Sequence, residues 1–316
     1  MKNLNLKRFF ALLGMTWMSL LPLNKAYATS VSLRVSPPSI TIQTKAPNTI
    51  KTPLSIENRT EQPMEFEILL KPFRAKDSQG NVSYLENFDK KPDPDILKKV
   101  TILEDDEPTN KILLGPFQKK TLTFSLHIPT EQTESDYYFS ILFISNPEPS
   151  TFEKKETITK AQVIIASHIL LSIQNISSSP KGTIEEFSGP FFSQKGPIPF
   201  TLRVRNTGSH AILPQGIITI KNMFSQTVGA IGIKQSPILI DSEKLLVTEG
   251  DLTKLSWQNG FLLGPYTARL TLALSKHGPT FTRSVQFVVL PLKETGEIVG
   301  IFILILFVIK RIKKHQ

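Results

Sequence analysis

The stretch KTLTFSLHI, residues 120–128, alternates apolar residues with threonine, serine and histidine. Because side chains of a β-strand point to opposite faces with a period of two, this alternation predicts a strand with one face in a core. Similar short runs recur on both sides of it, and between the two ends of the chain no helical period persists beyond about two turns. The sequence therefore predicts an all-β fold.

The other strand-like runs form two series, each with roughly ten-residue spacing, as in β-sandwiches. The first series also contains SITIQ (39–43), TPLSIEN (52–58), MEFEILLKPF (64–73), YYFSILFIS (137–145) and AQVIIASHILLSIQ (161–174). The second contains TIEEF (183–187), IPFTLRVRN (198–206), GIITIKN (216–222), SPILI (236–240), YTARLTLAL (266–274) and FTRSVQFVVL (281–290). We predict two immunoglobulin-like β-sandwich domains in tandem, 29–178 and 179–293, with the boundary in the polar stretch NISSSPK.

The two series resemble each other in order. LSIENRT, ending the strand at Asn58, corresponds to LRVRNTG, with Asn206 in the matching place. In both series a later strand opens with tyrosine, and we predict that Tyr138 and Tyr266 act as structural corners that bond back to the preceding turn.

The N-terminus has the order of a signal peptide. Basic residues precede an apolar run over 9–23, and Ala26 and Ala28 flank one residue in an A-x-A cleavage pattern. We predict a signal peptide over 1–28 with cleavage after Ala28; an uncleaved anchor helix is the alternative.

Near the other end, Ile298 to Ile309 reads IVGIFILILFVI and is followed at once by Lys310 and Arg311. This order predicts one transmembrane helix over 296–312 and a basic cytoplasmic tail over 313–316, although a span of the bilayer needs about 20 apolar residues. By the positive-inside rule, the prediction is a single-pass protein of the cell membrane, with the large N-terminal part extracellular and the lipid bilayer as a partner. A buried strand or core helix is the alternative.

The formal charge of +10 comes mostly from the two ends of the chain. Eight of the 37 basic residues lie in the first 28 or last seven positions, which leaves 29 basic against 27 acidic residues, a net charge of +2, for the part between. We therefore predict no nucleic-acid partner. The chain has no cysteine, which excludes disulfides, thiol nucleophiles and cysteine-ligated metals and is common in exported bacterial proteins.

The sequence shows no recognisable catalytic set, and we predict a non-enzymatic protein without a cofactor or metal. The five histidines stand without metal-ligand spacing: His127, His168, His210, His277 and His315. The acidic run over 104–107 lacks the ligand spacing of a calcium loop. Asp93 and Asp95 could form a carboxylate pair for glycoside cleavage, but acids at a helix start explain them better.

The order of segments resembles the bacterial cell-surface family of WxL-interacting proteins. The resemblance is carried by SLRVSPPSITI (32–42), LSIENRTEQP (54–63), DSQGNVSYLE (77–86) and YYFSILF (137–143), followed by a second sandwich, an anchor and a basic tail. It implies a first domain associated with peptidoglycan and a second that binds a partner or host surface. The chain departs from the family at KAPNTIK (45–51), which lacks a glycine-marked turn.

Three functions follow as hypotheses. The first is a membrane-anchored extracellular binding or scaffold protein that presents its β-sandwiches to cell-wall polymer, such as peptidoglycan, or to another surface protein. The second is a chaperone-like module that pairs an edge strand with exported subunits. The third is an envelope hydrolase that uses the carboxylate pair.

Overall fold

The computed structural model describes residues 33–88, 91, 93–145, 162–174, 179–251, 253–258, 262–276 and 278–292, together with Gly296, Ile305 and Lys310. These residues form two β-sandwiches, one after the other along the chain, each with its own hydrophobic core. The prediction of an all-β chain built from β-sandwiches is confirmed.

The first sandwich consists of two sheets. Its strands are β1 (Leu33–Ser36), β2 (Ser39–Thr44), β3 (Asn48–Asn58), β4 (Met64–Ala75), β5 (Val82–Tyr84), β6 (Val100–Glu104), β7 (Glu107–Pro108), β8 (Lys111–Leu114), β9 (Lys119–Ile128), β10 (Ser135–Ser145) and β11 (Ile164–Ile173). One sheet has the order β1-β3-β9-β6-β7, and the other has the order β2-β11-β10-β4-β5 with β8 also paired to β4. A short 3-10 helix, Ile96–Lys99, precedes β6.

The second sandwich repeats this plan with fewer strands. These are β12 (Gly182–Ser188), β13 (Phe192–Ser193), β14 (Ile198–Asn206), β15 (Gln215–Asn222), β16 (Thr227–Ile233), β17 (Glu243–Leu245), β18 (Leu255–Trp257), β19 (Gly264–Ala273) and β20 (Thr280–Val289). One sheet joins β12, β14 and β17, with β18 also paired to β14, and the other has the order β13-β20-β19-β15-β16.

The alternation read from the sequence explains why these strands have one buried face. In β9, Leu122, Phe124, Leu126 and Ile128 are fully buried in the first core, while the residues between them are exposed or half-buried. The run SPILI differs from its prediction, because only Ile238 makes an isolated bridge and the strand β17 follows it instead.

The predicted membrane location is contradicted. Among the residues that the structure describes, no helix is both long and apolar enough to cross a membrane. The apolar run is also short for a span of the bilayer. Twelve residues in a helix rise about 18 Å, whereas the hydrocarbon core is about 30 Å thick. Of the predicted anchor positions, Lys310 is described and exposed, whereas Ile298, Ile309 and Arg311 lie outside the described residues, as does the predicted signal peptide.

Candidate functional site

Strand β11 is paired along its whole length on one side only. On that side β10 runs antiparallel to all of Ile164–Ile173. On the other side the parallel strand β2 begins only at the pair His168↔Ser39. Among the described residues, Ile164–Ser167 therefore lack a strand partner on this second side, and we call these four residues the open edge.

Two prolines determine where β2 begins. Pro37 and Pro38 lie between β1 and β2, where the chain crosses from one sheet to the other. Proline has no N–H group to give to a sheet ladder, so regular pairing with β11 cannot extend through this crossing. Ser167 fixes the crossing in place by donating its hydroxyl to the carbonyl of Pro37 at 2.8 Å.

The open edge has backbone groups that make no strand pairing in the described part of the chain and could bond to an incoming chain. His168 donates its N–H to the carbonyl of Pro38 at 3.0 Å, so the backbone of His168 faces the β2 side. Because backbone direction alternates along a strand, Ile164 and Ala166 point their N–H and C=O groups to the same side. These two residues can thus form hydrogen bonds with an added strand.

An apolar strip lies on the outer face of the sheet beside the open edge. The strand register places Leu142 between Leu69 on β4 and Ala166 on β11, and Ile144 opposite Ile164. Leu69 and Ile164 are about half exposed, at 44% and 55%. We call these five residues the apolar strip; its exposed members would contact alternate side chains of a strand added at the open edge, while Leu142 is buried beneath them.

Below the open edge, His168 is fixed by its neighbours. Its Nδ1 lies 2.8 Å from the hydroxyl of the buried Ser140, and its ring packs edge-on against Phe73. Burial lowers the pKa of His168 below its ordinary value of 6.5, so the imidazole is neutral at neutral pH. With the serine hydroxyl fully buried, this pair is a structural contact and not an accessible nucleophile.

Directly after the open edge, His168 lines a cavity between the two domains. The cavity has a volume of about 240 Å³, and its lining includes Ser39, His168 and Leu170 from the first domain and Pro237 and Lys244 from the second. Lys244 donates its ammonium to the carbonyl of Pro237 at 3.3 Å, and burial lowers the pKa of Lys244. A strand added at the open edge would reach this cavity where β2 begins, at Ser39.

A buried carboxylate joins the two domains beside the cavity. Asp136 on β10 is fully buried, and its Oδ1 accepts hydrogen bonds of 2.6 Å from the hydroxyl of Ser172 and from Nδ1 of His210. Its Oδ2 accepts from the hydroxyl of Tyr138 at 2.8 Å and from the N–H of Ala211 at 2.6 Å. Two of the four donors belong to the second domain, so this carboxylate bonds across the domain junction.

Apolar contacts surround this network. Three buried residues of the first domain pack against partly buried residues of the second: Phe73, Tyr138 and Leu170 against Ala211, Leu239 and Ile240. Burial, followed by the nearby charge of Asp136, raises the pKa of Tyr138 well above its ordinary range. A backbone bond of 2.7 Å from the N–H of Leu245 to the carbonyl of Ser78 adds a further link.

The two tyrosines predicted as corners make different contacts. Tyr266 accepts a hydrogen bond from the N–H of Leu263 at 3.1 Å and lies 3.3 Å from the carbonyl of the same residue, three positions upstream. Tyr138 instead donates to Asp136 in the domain junction. The predicted cleavage residues Ala26 and Ala28 lie outside the described residues.

The carboxylates of the hydrolase hypothesis are bound by different lysines. Asp93 forms an ion pair with Lys99 and accepts a hydrogen bond from the N–H of Asp95 at 3.0 Å, beside the 3-10 helix. Asp95 pairs with Lys98 at 3.0 Å. This arrangement is that of acids at a helix start.

The described histidines are separated by their environments. On β9, Nδ1 of His127 lies 3.0 Å from the hydroxyl of Thr49. Nδ1 of His168 lies beside the hydroxyl of Ser140 instead, and Nδ1 of His210 lies beside the carboxylate of Asp136. His277 and His315 lie outside the described residues. Within the described ranges, no group of three or more His, Cys, Asp or Glu side chains could hold a metal ion.

The sequence reasoning missed both the open edge and the role of Asp136. A length difference was a usable signal for the edge, because the run AQVIIASHILLSIQ is much longer than its partner SITIQ, which directly follows two prolines. For Asp136 the sequence offered no such signal, because its two partners from the second domain lie more than 70 positions away.

No family model and no curated protein matches this chain. Among solved structures, the class 5 fimbriae chaperone CfaA is 12% identical with a TM-score of 0.37, covering 83% of this chain and 100% of its own. The E. coli chaperone DraB is 10% identical at 0.35, covering 82% and 96%, and the Pseudomonas aeruginosa chaperone CupB2 is 9% identical at 0.33, covering 79% and 98%. At these identities and TM-scores, the similarities assign neither a family nor a function to the chain.

Proposed function

We propose that this chain is a non-catalytic binding protein that takes up an extended segment of another exported polypeptide as an added β-strand along the open edge. The observation that carries this proposal is that, among the described residues, Ile164–Ser167 have no strand partner beside the apolar strip. Backbone N–H and C=O groups at a sheet edge recognise a peptide backbone, and alternate side chains supply the selectivity.

The open edge is better suited to this role than several other edges of the two sandwiches. Natural sheets protect edges with polar or charged side chains, short strands and proline. The outer positions of β2 carry Thr41 and Gln43, the edge strand β7 consists of Glu107 and Pro108, and β12 presents Glu185. The sequence Ile-Ile-Ala-Ser of the open edge has none of these protections.

Backbone bonds alone would give weak binding. Ile164 and Ala166 supply two N–H and two C=O groups, and each bond contributes only about 1 kcal/mol net. Most of the affinity would therefore come from apolar side chains of the incoming segment, which bury surface against the apolar strip. A ligand with alternating apolar residues fits this requirement, as does an exported subunit held before assembly.

This proposal replaces cell-wall polymer with a polypeptide as the specific ligand, because a sugar polymer lacks the regular donors and acceptors of a strand. The resemblance to WxL-interacting proteins stays a prediction, and so does peptidoglycan binding.

The absence of cysteine allows a direct test. Ile164→Cys introduces a single attachment point at the open edge for a photocrosslinker, which is then activated in the source cells. We expect crosslinks to an extended segment of an exported polypeptide, identified by mass spectrometry. Thr41→Cys, on the outer side of β2, is the matched control and should give far fewer.

A second substitution separates strand pairing from simple proximity. Ala166→Pro, added to the Ile164→Cys variant, removes an N–H that points away from the sheet, a change that edge strands tolerate. It should abolish the crosslink while leaving the melting temperature nearly unchanged, and Thr41→Pro should leave the crosslink intact. Crosslinks that survive Ala166→Pro, or a product that contains wall polymer and no polypeptide, would contradict strand addition.

A further inference from the structure

The register of the second domain brings several loops to one end of its five-stranded sheet. Asn222 at the end of β15 pairs with Tyr266 near the start of β19, and Gly264 pairs with Val289 at the end of β20. Phe192 of β13 pairs with the residue before Val289. The β15–β16 turn, the segment before β19, the segment after β20 and the segment after β13 therefore lie side by side, and Phe191 and Phe192 lie directly before this end of the sheet.

Exposed large apolar side chains are concentrated at this end. They are Phe191, Phe192, Met223, Phe224, Leu263 and Leu292. Their exposed fractions range from 44% to 80%, and they extend across the sheet from β13 to the β15–β16 turn. We call these six residues the distal apolar end; a concentration of this kind on a folded domain marks an interaction surface.

This end faces away from the first domain. The junction uses His210 and Ala211, which precede β15, whereas Met223 follows β15. The eight residues of β15 separate the two ends by about 23 Å. The surface is therefore distinct from the open edge and from the cavity between the domains.

The β15–β16 turn holds its apolar residues outward in a fixed conformation. Oδ1 of Asn222 accepts hydrogen bonds of 3.0 Å from the N–H groups of Phe224 and Gln226, and the backbone N–H of Asn222 donates to the carbonyl of Gln226 at 3.0 Å. Ser225 adopts a left-handed conformation with φ of 62°. These bonds keep the turn ordered. Binding through Phe224 therefore costs little further loop entropy.

Two further apolar residues are fixed in the same way. The carbonyl of Phe191 accepts the N–H of Val288 at 2.9 Å, which ties its backbone to β20. The hydroxyl of Tyr266 bonds to the backbone of Leu263. The distal apolar end is therefore a preformed surface.

The charge around this surface favours an anionic partner. The segments 189–197, 223–226, 258–263 and 290–292 contain one charged residue, Lys195, and neighbouring Lys221 ends β15. No Asp or Glu occurs in these segments of the sequence. At the headgroup region of anionic lipids, burial of apolar side chains and attraction of nearby lysines add to each other.

We propose that the distal apolar end of the second domain docks onto the surface of an anionic lipid bilayer, with Phe191 and Phe224 entering the headgroup region. The proposal concerns a peripheral contact by described residues and does not depend on the segment 296–312. A second copy of the chain could also cover these apolar residues. In such a contact, however, the lysines would meet no acids of the same surface.

The test is vesicle cosedimentation of residues 33–292, a chain that contains both hydrophobic cores in full. The vesicles contain equal parts of phosphatidylglycerol and phosphatidylcholine, with phosphatidylcholine alone for comparison. We expect binding to the anionic vesicles, and Phe191→Ser with Phe224→Ser should reduce the partition coefficient at least tenfold, by about the loss expected for two apolar side chains.

The first domain offers a matched control. Leu113→Ser with Phe117→Ser removes two apolar side chains of similar exposure, 60% and 65%, and should leave binding unchanged. Equal binding by both double variants would overturn the proposal, as would equal binding to the two kinds of vesicle. Self-association in ultracentrifugation that is lost in the Phe191→Ser, Phe224→Ser variant, without vesicle binding by the parent chain, would assign the surface to a second copy and overturn it too.

Discussion

Replacing Asp136 with asparagine tests how the two domains are held together. The buried carboxylate accepts four hydrogen bonds, among them those from His210 and Ala211 of the second domain. An asparagine of the same shape keeps one oxygen but turns an NH₂ group toward two of the donors, so two buried donors lose their acceptor. At about 1–3 kcal/mol each, the free energy of unfolding should fall by about 2–6 kcal/mol.

The assay is equilibrium urea unfolding followed by circular dichroism and by fluorescence of Trp257, with solution X-ray scattering to compare the domain arrangement. Asp106→Asn is the control, because Asp106 lies exposed in the β6–β7 turn at φ of 66°, a conformation that asparagine also tolerates. That variant should stay within about 0.5 kcal/mol of the parent chain. If Asp136→Asn does the same and scattering is unchanged, the network does not hold the domains.

Two further predictions concern single rings, the half-buried imidazole of His168 and the buried indole of Trp257. Burial lowers the pKa of His168 below 6.5, so the unfolded chain binds this proton more readily. His168 should therefore make the free energy of unfolding fall as the pH drops below about 6.5, and contribute no slope above it. Urea unfolding of His168→Gln at about pH 7.5 and 5.5 should show a smaller difference than the parent chain, and an unchanged difference would contradict the burial argument. In β16, a Cβ on Gly229 would lie 2.2 Å from Nε1 of the buried Trp257, whereas one on Gly232 would meet nothing within 4 Å. Gly229→Ala should lower the free energy of unfolding by about 1–3 kcal/mol, and Gly232→Ala should leave it nearly unchanged; equal effects in a urea titration would mean that the ring contact is not the cause.

Much of the fold could be predicted from local patterns, because burial of one strand face leaves a period of two in the sequence. The correspondence between LSIENRT and LRVRNTG also reflects a shared structure. Asn58 and Asn206 are both fully buried at the ends of β3 and β14, and each donates its amide to the carbonyl four residues later, that of Gln62 or His210. The amide of Asn58 also donates to Gly115.

The candidate site was harder to predict, because it depends on contacts between distant segments. SPILI has the composition of a strand, yet only Ile238 forms a bridge, and its neighbours Leu239 and Ile240 pack against the first domain instead. The acids Asp93 and Asp95 were identified as a pair, but their lysine partners follow from the local 3-10 helix. Residue type alone could not separate these acids from Asp136, whose surroundings come from both domains.

Strand β11 connects the domain junction to the proposed binding edge. Near its C-terminal end Ser172 donates to Asp136, and at its N-terminal end Ile164–Ser167 have no second strand partner within the described ranges. Between them His168 and Leu170 line the cavity whose far wall belongs to the second domain. Asp136 bonds to Ser172 on β11 and to His210 and Ala211 of the second domain, so the network around it holds that wall against β11. Under the proposed function, the second domain would therefore restrict which segments can pair there, although the pairing groups all belong to the first.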